Sequence, residues 1–517
     1  MNMNKALECG GNALRPGTIP WEGALARDNL KVDPTRKLMH LLTVFFLGLT
    51  ACTPTRVDPK LHLPSVTDWQ HGQAADVVTD RADVASWWHD FRDPLLDQLI
   101  AEAIAANQDL RIAKARVREA QAGVTVAESA LYPTVEFNAN GGRERSINRV
   151  FAAPGPQGIE LVAPAGNAFS GGLAARWEID LFGGRHLEAE AAAAQAMGAG
   201  EGERAVLVGL LAQVATNYLE LRGVQARTQI LRDHIVNETE RLRVVRALHK
   251  TGLARDFDVA RQETQLHATE AGLPTLTAAA DNLIHRLGVL SGKPPASFNA
   301  RLAPPAPLPA STPQLPKLLP ASLLDQRPDL RLAKARVDAA AATLGAARAD
   351  LYPKLVLSVS GGFGTLATGG YAALAEGVYA LGSGISAPIF NAGRIRAQIT
   401  AADARLEQTA ADYEKTFLTA LEDVENAYVQ HRSMNDRRDR LLLAETAADK
   451  SRAEADALFR QGATDFLGVL DAHRAKLQIS DERAKTDTAR AVAIVSLYRA
   501  FGGGWGEPVS ESVAARL

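Results

Sequence analysis

The chain is short of cysteine, of long apolar runs and of net charge, and each shortage removes a class of protein. Only Cys9 and Cys52 occur among 517 residues, so neither a disulfide framework nor paired-cysteine metal spacing is available. No apolar run reaches the ~18 to 20 residues that a transmembrane helix requires; the strongest covers residues 38–51. The formal net charge is −2, and without the first 51 residues, which carry 6 Lys/Arg and 4 Asp/Glu, it is −4. That balance offers no basic surface for nucleic acid. Catalytic signatures are missing as well: no Walker loop, no Gly-x-Ser-x-Gly and no His-Glu-x-x-His is present. His267 and His285 sit 18 residues apart, ~27 Å along one expected helix, and cannot share a metal. The sequence therefore points to no enzyme, no cofactor and no metal.

What is present begins with duplication. Residues 107–142 align with 327–362 at a constant offset of 220, with 16 of 36 positions identical. Leu207, Leu211, Val214 and Tyr218 then match Phe417, Leu421, Val424 and Tyr428 at an offset of 210, as Gly252 matches Gly462. A period this long describes two fused copies of one large unit and not a solenoid.

Residues 38–51 follow Arg36-Lys37 and precede Cys52, the form of an export signal with a charged start and a short apolar stretch. Leu49-Thr50-Ala51-Cys52 resembles a bacterial lipobox, in which cleavage before the cysteine precedes its acylation. A short buried helix with an incidental cysteine is the competing reading. Acylation explains why Cys52 would stand alone in an exported chain, and Thr53 in place of Asp points to sorting to the outer membrane. The expected organisation is an upstream extension and lipoprotein signal peptide (1–51), a lipidated tail (52–93), a first repeat (94–293), a Pro-rich linker (294–320), a second repeat (321–506) and a C-terminal tail (507–517).

Each repeat reads as helix, two strands and a long helical hairpin. Helices are expected over 94–106, 109–130 and 329–350, the last two ended by Leu-Tyr-Pro because proline cannot continue them. Alternating patterns follow at 134–142, 169–181, 354–363 and 379–390, with apolar residues or glycine at odd positions in the first three and, in the last and weakest, Leu381, Ile385 and Ile389 on one face. Strands of ~9 to 11 residues with one apolar and one polar face suit a membrane barrel; a soluble sandwich is the alternative. Residues 185–250 and 394–460 lack proline and would each form a helix ~100 Å long. Leu207, Leu211, Val214, Tyr218 and Leu221 keep a 4-3-4-3 coiled-coil spacing. Gly252 and Gly462 suit the left-handed position after a helix. Asp256, and Thr464 or Asp465, are candidate caps for return helices running to about Leu290 and Ala500. Nine of the 25 prolines lie between Pro294 and Pro320, an extended linker.

Four strands cannot close a membrane barrel, the smallest of which has eight, and open edges inside lipid leave backbone groups unpaired. Strands must therefore be shared: two chains give eight with a side-chain-filled interior, three give twelve around a channel. Trp87-Trp88, Phe91, Asp93-Pro94, Leu96, Leu99, Asn107, Leu110, Ala113 and Arg116 resemble the opening signature of TolC-type outer-membrane efflux channels of the NodT lipoprotein branch. Gly462-Ala463-Thr464-Asp465-Phe466-Leu467 with Val469-Leu470-Asp471-Ala472 is similar to that family's second hairpin tip, and Phe501-Gly502-Gly503-Gly504-Trp505 to its C-terminal close.

The resemblance covers Cys52 to about Trp505. It implies an α+β membrane protein, a homotrimeric twelve-stranded outer-membrane β-barrel with four strands per chain, continued by a periplasmic α-helical barrel. It further implies a periplasmic adaptor and an inner-membrane pump as partners. Asp471 would contribute to an acidic ring at the narrow periplasmic end, although a second acidic position of some members is Gly468 here; an ordinary solvated acid is the other reading. Gly252, Leu253, Gly462, Ala463 and Thr464 are either caps or adaptor contacts. Tyr132 and Tyr352 are expected to pack at the helix-to-strand junctions. The function so implied is passive conduction of small toxic compounds across the outer membrane. Conduits for type I polypeptide secretion and structural periplasmic coiled-coil lipoproteins are the competing readings.

Overall fold

A computed structural model describes residues 57–505 apart from 60, 65, 67, 71–76, 79–83, 146–150, 156–157, 163–164, 312–314, 317–325 and 368–373. Cys52 and the signal segment lie outside the described residues. After a two-residue strand β1 (Val77–Val78) and a 3₁₀ turn (Trp87–Phe91), the first half enters α1 (Pro94–Ala106) and α2 (Gln108–Ser129). Asp93 caps α1 by accepting from the N–H groups of Leu95 and Leu96 at 3.0 and 3.3 Å, with Pro94 at the first helical position, where no N–H is needed. Pro133 ends the helical stretch, and β2 (Thr134–Arg145) follows. A small hairpin of β3 (Phe151–Gly155) and β4 (Gly158–Val162) lies in what its Gly and Pro content marks as loop. Next come β5 (Ala165–Ile179), α3 (Gly184–Lys250), α4 (Asp256–Glu270) and α5 (Gly272–Leu290).

The Pro-rich segment is not extended throughout. It opens with a 3₁₀ turn (Pro295–Phe298) and α6 (Asn299–Leu302), which bury Phe298 and Leu302. Beyond it β6 (Leu315–Pro316) pairs in parallel with β1. The second half repeats the order with α7 (Pro328–Ala349), β7 (Lys354–Ala367), β8 (Leu374–Ser386), α8 (Arg394–Arg460) and α9 (Phe466–Ala500).

Both long helices come out at 67 residues, close to the Pro-free segments. Three expectations are corrected. The last strand spans Leu374–Ser386 and stops four residues before 390, because Pro388 has no N–H to give a ladder. Asp256 is the first helical residue of α4, not its cap; Arg255 holds that position, and its N–H donates to Asp258 Oδ2 at 3.0 Å. The first return leg breaks at Ala271, because the ring of Pro274 conflicts with a carbonyl four residues earlier, at Glu270. His267 and His285 consequently lie on different helices, and His267 pairs with Glu270 at 2.9 Å.

The core sits at mid-height of the long helices. There Leu211, Val214, Tyr218 and Leu221 of α3 meet Phe417, Val424 and Tyr428 of α8, together with Val495, Tyr498 and Phe501 at the end of the second half. Trp87 stacks on Tyr498 with ring centroids 5.4 Å apart. The Tyr218 hydroxyl donates to Asp93 Oδ2 at 2.5 Å, so one carboxylate caps α1 and ties it to α3. The two halves close at this level by equivalent links. Asn107 Nδ2 donates to the Leu290 carbonyl and Arg327 Nη1 to the Ala500 carbonyl, each at 2.8 Å. Among the described residues no helix is long and apolar enough to cross a membrane.

Candidate functional site

One antiparallel sheet in the order β2-β5-β7-β8 joins the two halves, with β5 beside β7. Opposite residues share parity across all three ladders, as in Phe137↔Leu173↔Gly361↔Tyr379. The odd face therefore gathers Phe137, Phe169, Leu173, Phe363, Tyr379, Leu381 and Ile385, all exposed in the single chain. Glu136, Asn138, Ser170, Arg176, Ser358 and Ser360 occupy the even face.

Gly172 and Gly362 are directly paired on that even face. A Cβ on Gly172 would lie 2.7 Å from the Gly361 carbonyl oxygen, and one on Gly362 would lie 2.5 Å from that of Gly171. The two backbones thus face one another on the polar side with no side chain between them. On the odd face Phe363 covers Gly171 at 3.4 Å, filling space that no side chain of its own would occupy. Among the described residues β2 and β8 each have a ladder on one side only.

At the sheet's helix end Phe182 stacks on Tyr352, centroids 4.8 Å apart, and Trp177 Nε1 donates to the Leu131 carbonyl at 2.9 Å. Tyr352 packs as its position leads one to expect. Tyr132 does not; it is 67% exposed.

At the far end the two tips share one backbone motif. Gly252 (φ 72°) donates to the His249 carbonyl and Leu253 to that of Leu248, both at 2.9 Å. Gly462 (φ 70°) donates to Phe459 at 3.0 Å and Ala463 to Leu458 at 2.9 Å. Both helices therefore end in the left-handed closure that glycine permits. Asp465, not Thr464, caps α9 by accepting from the Gly468 N–H at 3.1 Å. Leu253 is 77% and Phe257 60% exposed, so the first tip presents an apolar surface. Asp471 is exposed on α9, beside buried Leu470, and forms no hydrogen bond or ion pair among the described residues.

A set of residues that spacing could not reveal joins the two hairpins above the tips. Arg241 of α3 meets His473 of α9, Arg474 Nε donates to Gln265 Oε1 at 2.5 Å, and Arg227 pairs with Asp481 at 2.6 Å. These partners stand more than two hundred positions apart in the chain, so only the fold pairs them. Nearby, burial and the Arg241 charge bring His234 down to about 4. In the core, midway along α3, burial and the bond to Asp93 push the Tyr218 hydroxyl up to about 12.

The outer membrane efflux protein family model matches this chain over residues 99–293 and 319–503. The pyoverdine export outer membrane protein OpmQ of Pseudomonas aeruginosa is 33% identical over 477 residues, which are 91% of this chain and 97% of the relative. The solvent efflux pump outer membrane protein SrpC of Pseudomonas putida is 27% identical over 484 residues, 91% of this chain and 98% of its own length. Among solved structures the outer-membrane channel OprN, 31% identical, matches with a TM-score of 0.77 over 87% of this chain and 100% of its own. The fold is therefore that of these channels, in which a β-barrel is continued by an α-helical barrel. The protein is the outer-membrane channel component of an efflux system, with a periplasmic helical portion, and it is not an enzyme. Matched in both halves, and aligned with its relatives over nine-tenths of its length, the chain belongs to the outer membrane efflux protein family.

Proposed function

We propose that three copies of the chain form a twelve-stranded outer-membrane barrel, anchored by lipid at Cys52. In this reading the channel passes small toxic compounds from an inner-membrane pump, through a periplasmic adaptor, to the exterior. The observation that carries the proposal is the sheet's pair of unmatched edges. Among the described residues β2 and β8 each leave one side of the ladder without a partner, a state lipid does not tolerate. The apolar odd face supports lipid contact, and the polar even face supports a wet lumen. Solvent efflux by a relative at 27% identity supports small-molecule cargo over secreted polypeptide.

The tail geometry supports the anchor. The His62 N–H donates to Glu414 at 2.6 Å, a residue ~30 Å down α8 from its sheet end at Arg394. The ten residues from Cys52 to His62 can span ~33 to 36 Å, enough to return to the membrane. The exposed tips, Gly252-Leu253 and Gly462-Ala463-Thr464, would meet the adaptor. Asp471 from each copy would face the axis at the narrow end.

Cysteines placed on the outer sides of β2 and β8 test the assembly. Oxidation of outer-membrane fractions should produce a ladder that ends at three chains. A ladder ending at two would mean an eight-stranded barrel without a channel, and no ladder would mean that the edges do not meet.

A further inference from the structure

The middle seam of the sheet, where β5 meets β7, is closed at its helix end by a stacked pair. Phe182, at the exit of β5, lies nearly flat against Tyr352, at the entry of β7, with an interplanar angle of 17°. The adjoining helices close up with the rings. A Cβ on Gly184 of α3 would lie 3.0 Å from that of Ala349 of α7, and one on Gly345 of α7 would lie 2.9 Å from Leu187 Cδ1 of α3. Only small residues allow this approach, and α7 accordingly buries Val337, Ala341, Leu344 and Ala349.

The duplication supplies the parts of this joint a second time. Tyr132 is the counterpart of Tyr352 and likewise stands two residues ahead of a strand, β2. Phe390 is the counterpart of Phe182: each follows its strand and precedes a Gly-Arg entry to a long helix, through a link one residue longer in the second half. The counterpart of α7 is α2. Within one chain these parts are kept apart. β2 and β8 are the outer strands of four, ~14 Å from each other at ~4.8 Å per strand. Tyr132 is therefore 67% and Phe390 89% exposed, and α2 buries only Leu110 and Ala113. Every ladder is antiparallel, so β8 of one copy would meet β2 of another in the same sense as β5 meets β7.

We propose that Phe390 of one copy stacks on Tyr132 of the next, with α8 entering against α2 of that copy, so that the seam between chains repeats the seam within each chain. The inference rests on the ring of three copies and adds to it a named contact. Joints of one design then circle the base of the barrel, alternately within and between chains. Ring pairs at such separations contribute beyond the area they bury. The contact also gives the exposed Tyr132 the role that Tyr352 fills inside the chain.

Outer-membrane fractions carrying Tyr132→Cys together with Phe390→Cys test the contact. A short bismaleimide should link them into a ladder that ends at three chains, while either single variant should stay at one. Dissociation of the full-length protein in detergent, followed by gel migration, is the second measurement. Tyr132→Ala and Phe390→Ala should each speed it about tenfold, the double variant by clearly less than the product of the two, and Phe390→Tyr hardly at all. No link in the double cysteine variant, where cysteines on the outer sides of β2 and β8 do link, would overturn the contact and leave the three-chain ring standing. Effects that simply multiply in the double alanine variant would assign the two rings to the lipid interface and overturn it as well. Failure of both cysteine pairs would remove the ring and the contact together.

Discussion

The first hairpin returns toward the sheet in two pieces, α4 and α5, while the second returns as the single 35-residue helix α9. Their interiors differ in the same sense. The first is closed mainly by apolar contacts and amides, with Gln262 donating to the Glu238 carbonyl at 3.2 Å and Gln265 to the Glu238 carboxylate, also at 3.2 Å, beside the more exposed pair of Arg246 and Glu263 at 2.7 Å. The second is laced by ions. Lys476 bridges Glu445 and Asp449 at 3.0 and 2.7 Å, Arg483 meets Glu445, and Arg438 reaches Asp487 at 3.0 Å. Even the closures at mid-height follow the pattern, an amide at Asn107 and a guanidinium at Arg327, which also pairs with Asp329 and Asp423. Two copies of one template have thus become a jointed leg and a rigid strut. What the duplication preserved is the tip motif and the register of the core, not the chemistry between the legs.

The sharpest way to break the contrast is to give the strut a joint. By the repeat offset Pro274 corresponds to Ala484, which is buried within α9. Ala484→Pro should cost ~3 kcal/mol or more from a lost hydrogen bond and a ring clash, seen as a marked fall in melting temperature.

Next in size is the mid-height closure. Arg327→Ala removes a buried cation from two half-exposed carboxylates and frees the Ala500 carbonyl, at about 2 kcal/mol. Asn107→Ala loses a cap and one bond, at about 1 kcal/mol. Denaturant midpoints of the two variants should keep that order, and a reversed order would refute the ionic reading of the second half.

Smaller again is the salt response. Raising ionic strength from 0.1 to 1 M cuts the screening length from ~10 to ~3 Å. Hydrogen exchange should therefore quicken in α9 more than in α4 and α5, by under ~1 kcal/mol per ion pair.

The least effect on stability, within about 0.5 kcal/mol, is expected of Asp471→Ala, whose counterpart in the first hairpin is Arg261. In planar bilayers that variant should lose cation selectivity and cation block. An unchanged reversal potential would leave Asp471 an ordinary surface acid.

Much of this was legible in the sequence, for reasons that particular residues make plain. The long helices could be bounded almost to the residue because nothing between Arg185 and Lys250, or Arg394 and Arg460, interrupts them, and a glycine stands just past each end. The strands could be found because parity carries across every ladder, so alternation in one strand predicts the face of its neighbour. The joint at Ala271 was harder to foresee, since a proline in a helix's first turn is tolerated and reads as a continuation. The hairpin of β3 and β4 was hidden by its own Gly and Pro content. Of the candidate site, the tips and Asp471 were visible as motifs. The Arg241–His473 link was not, because chemistry between residues 232 positions apart leaves no mark on spacing.

The unmatched edges of the sheet also set a clock. A newly exported chain carries two strand edges of 12 and 13 residues that pair as readily with a stranger as with a sister copy. Productive closure needs encounters between copies, so its rate climbs with their concentration, but so does the rate of misjoining. The lipid proposed at Cys52 would confine the search to two dimensions and present the edges in one orientation. Supply of the protein is then best kept steady, since a burst of synthesis would favour tangles over channels.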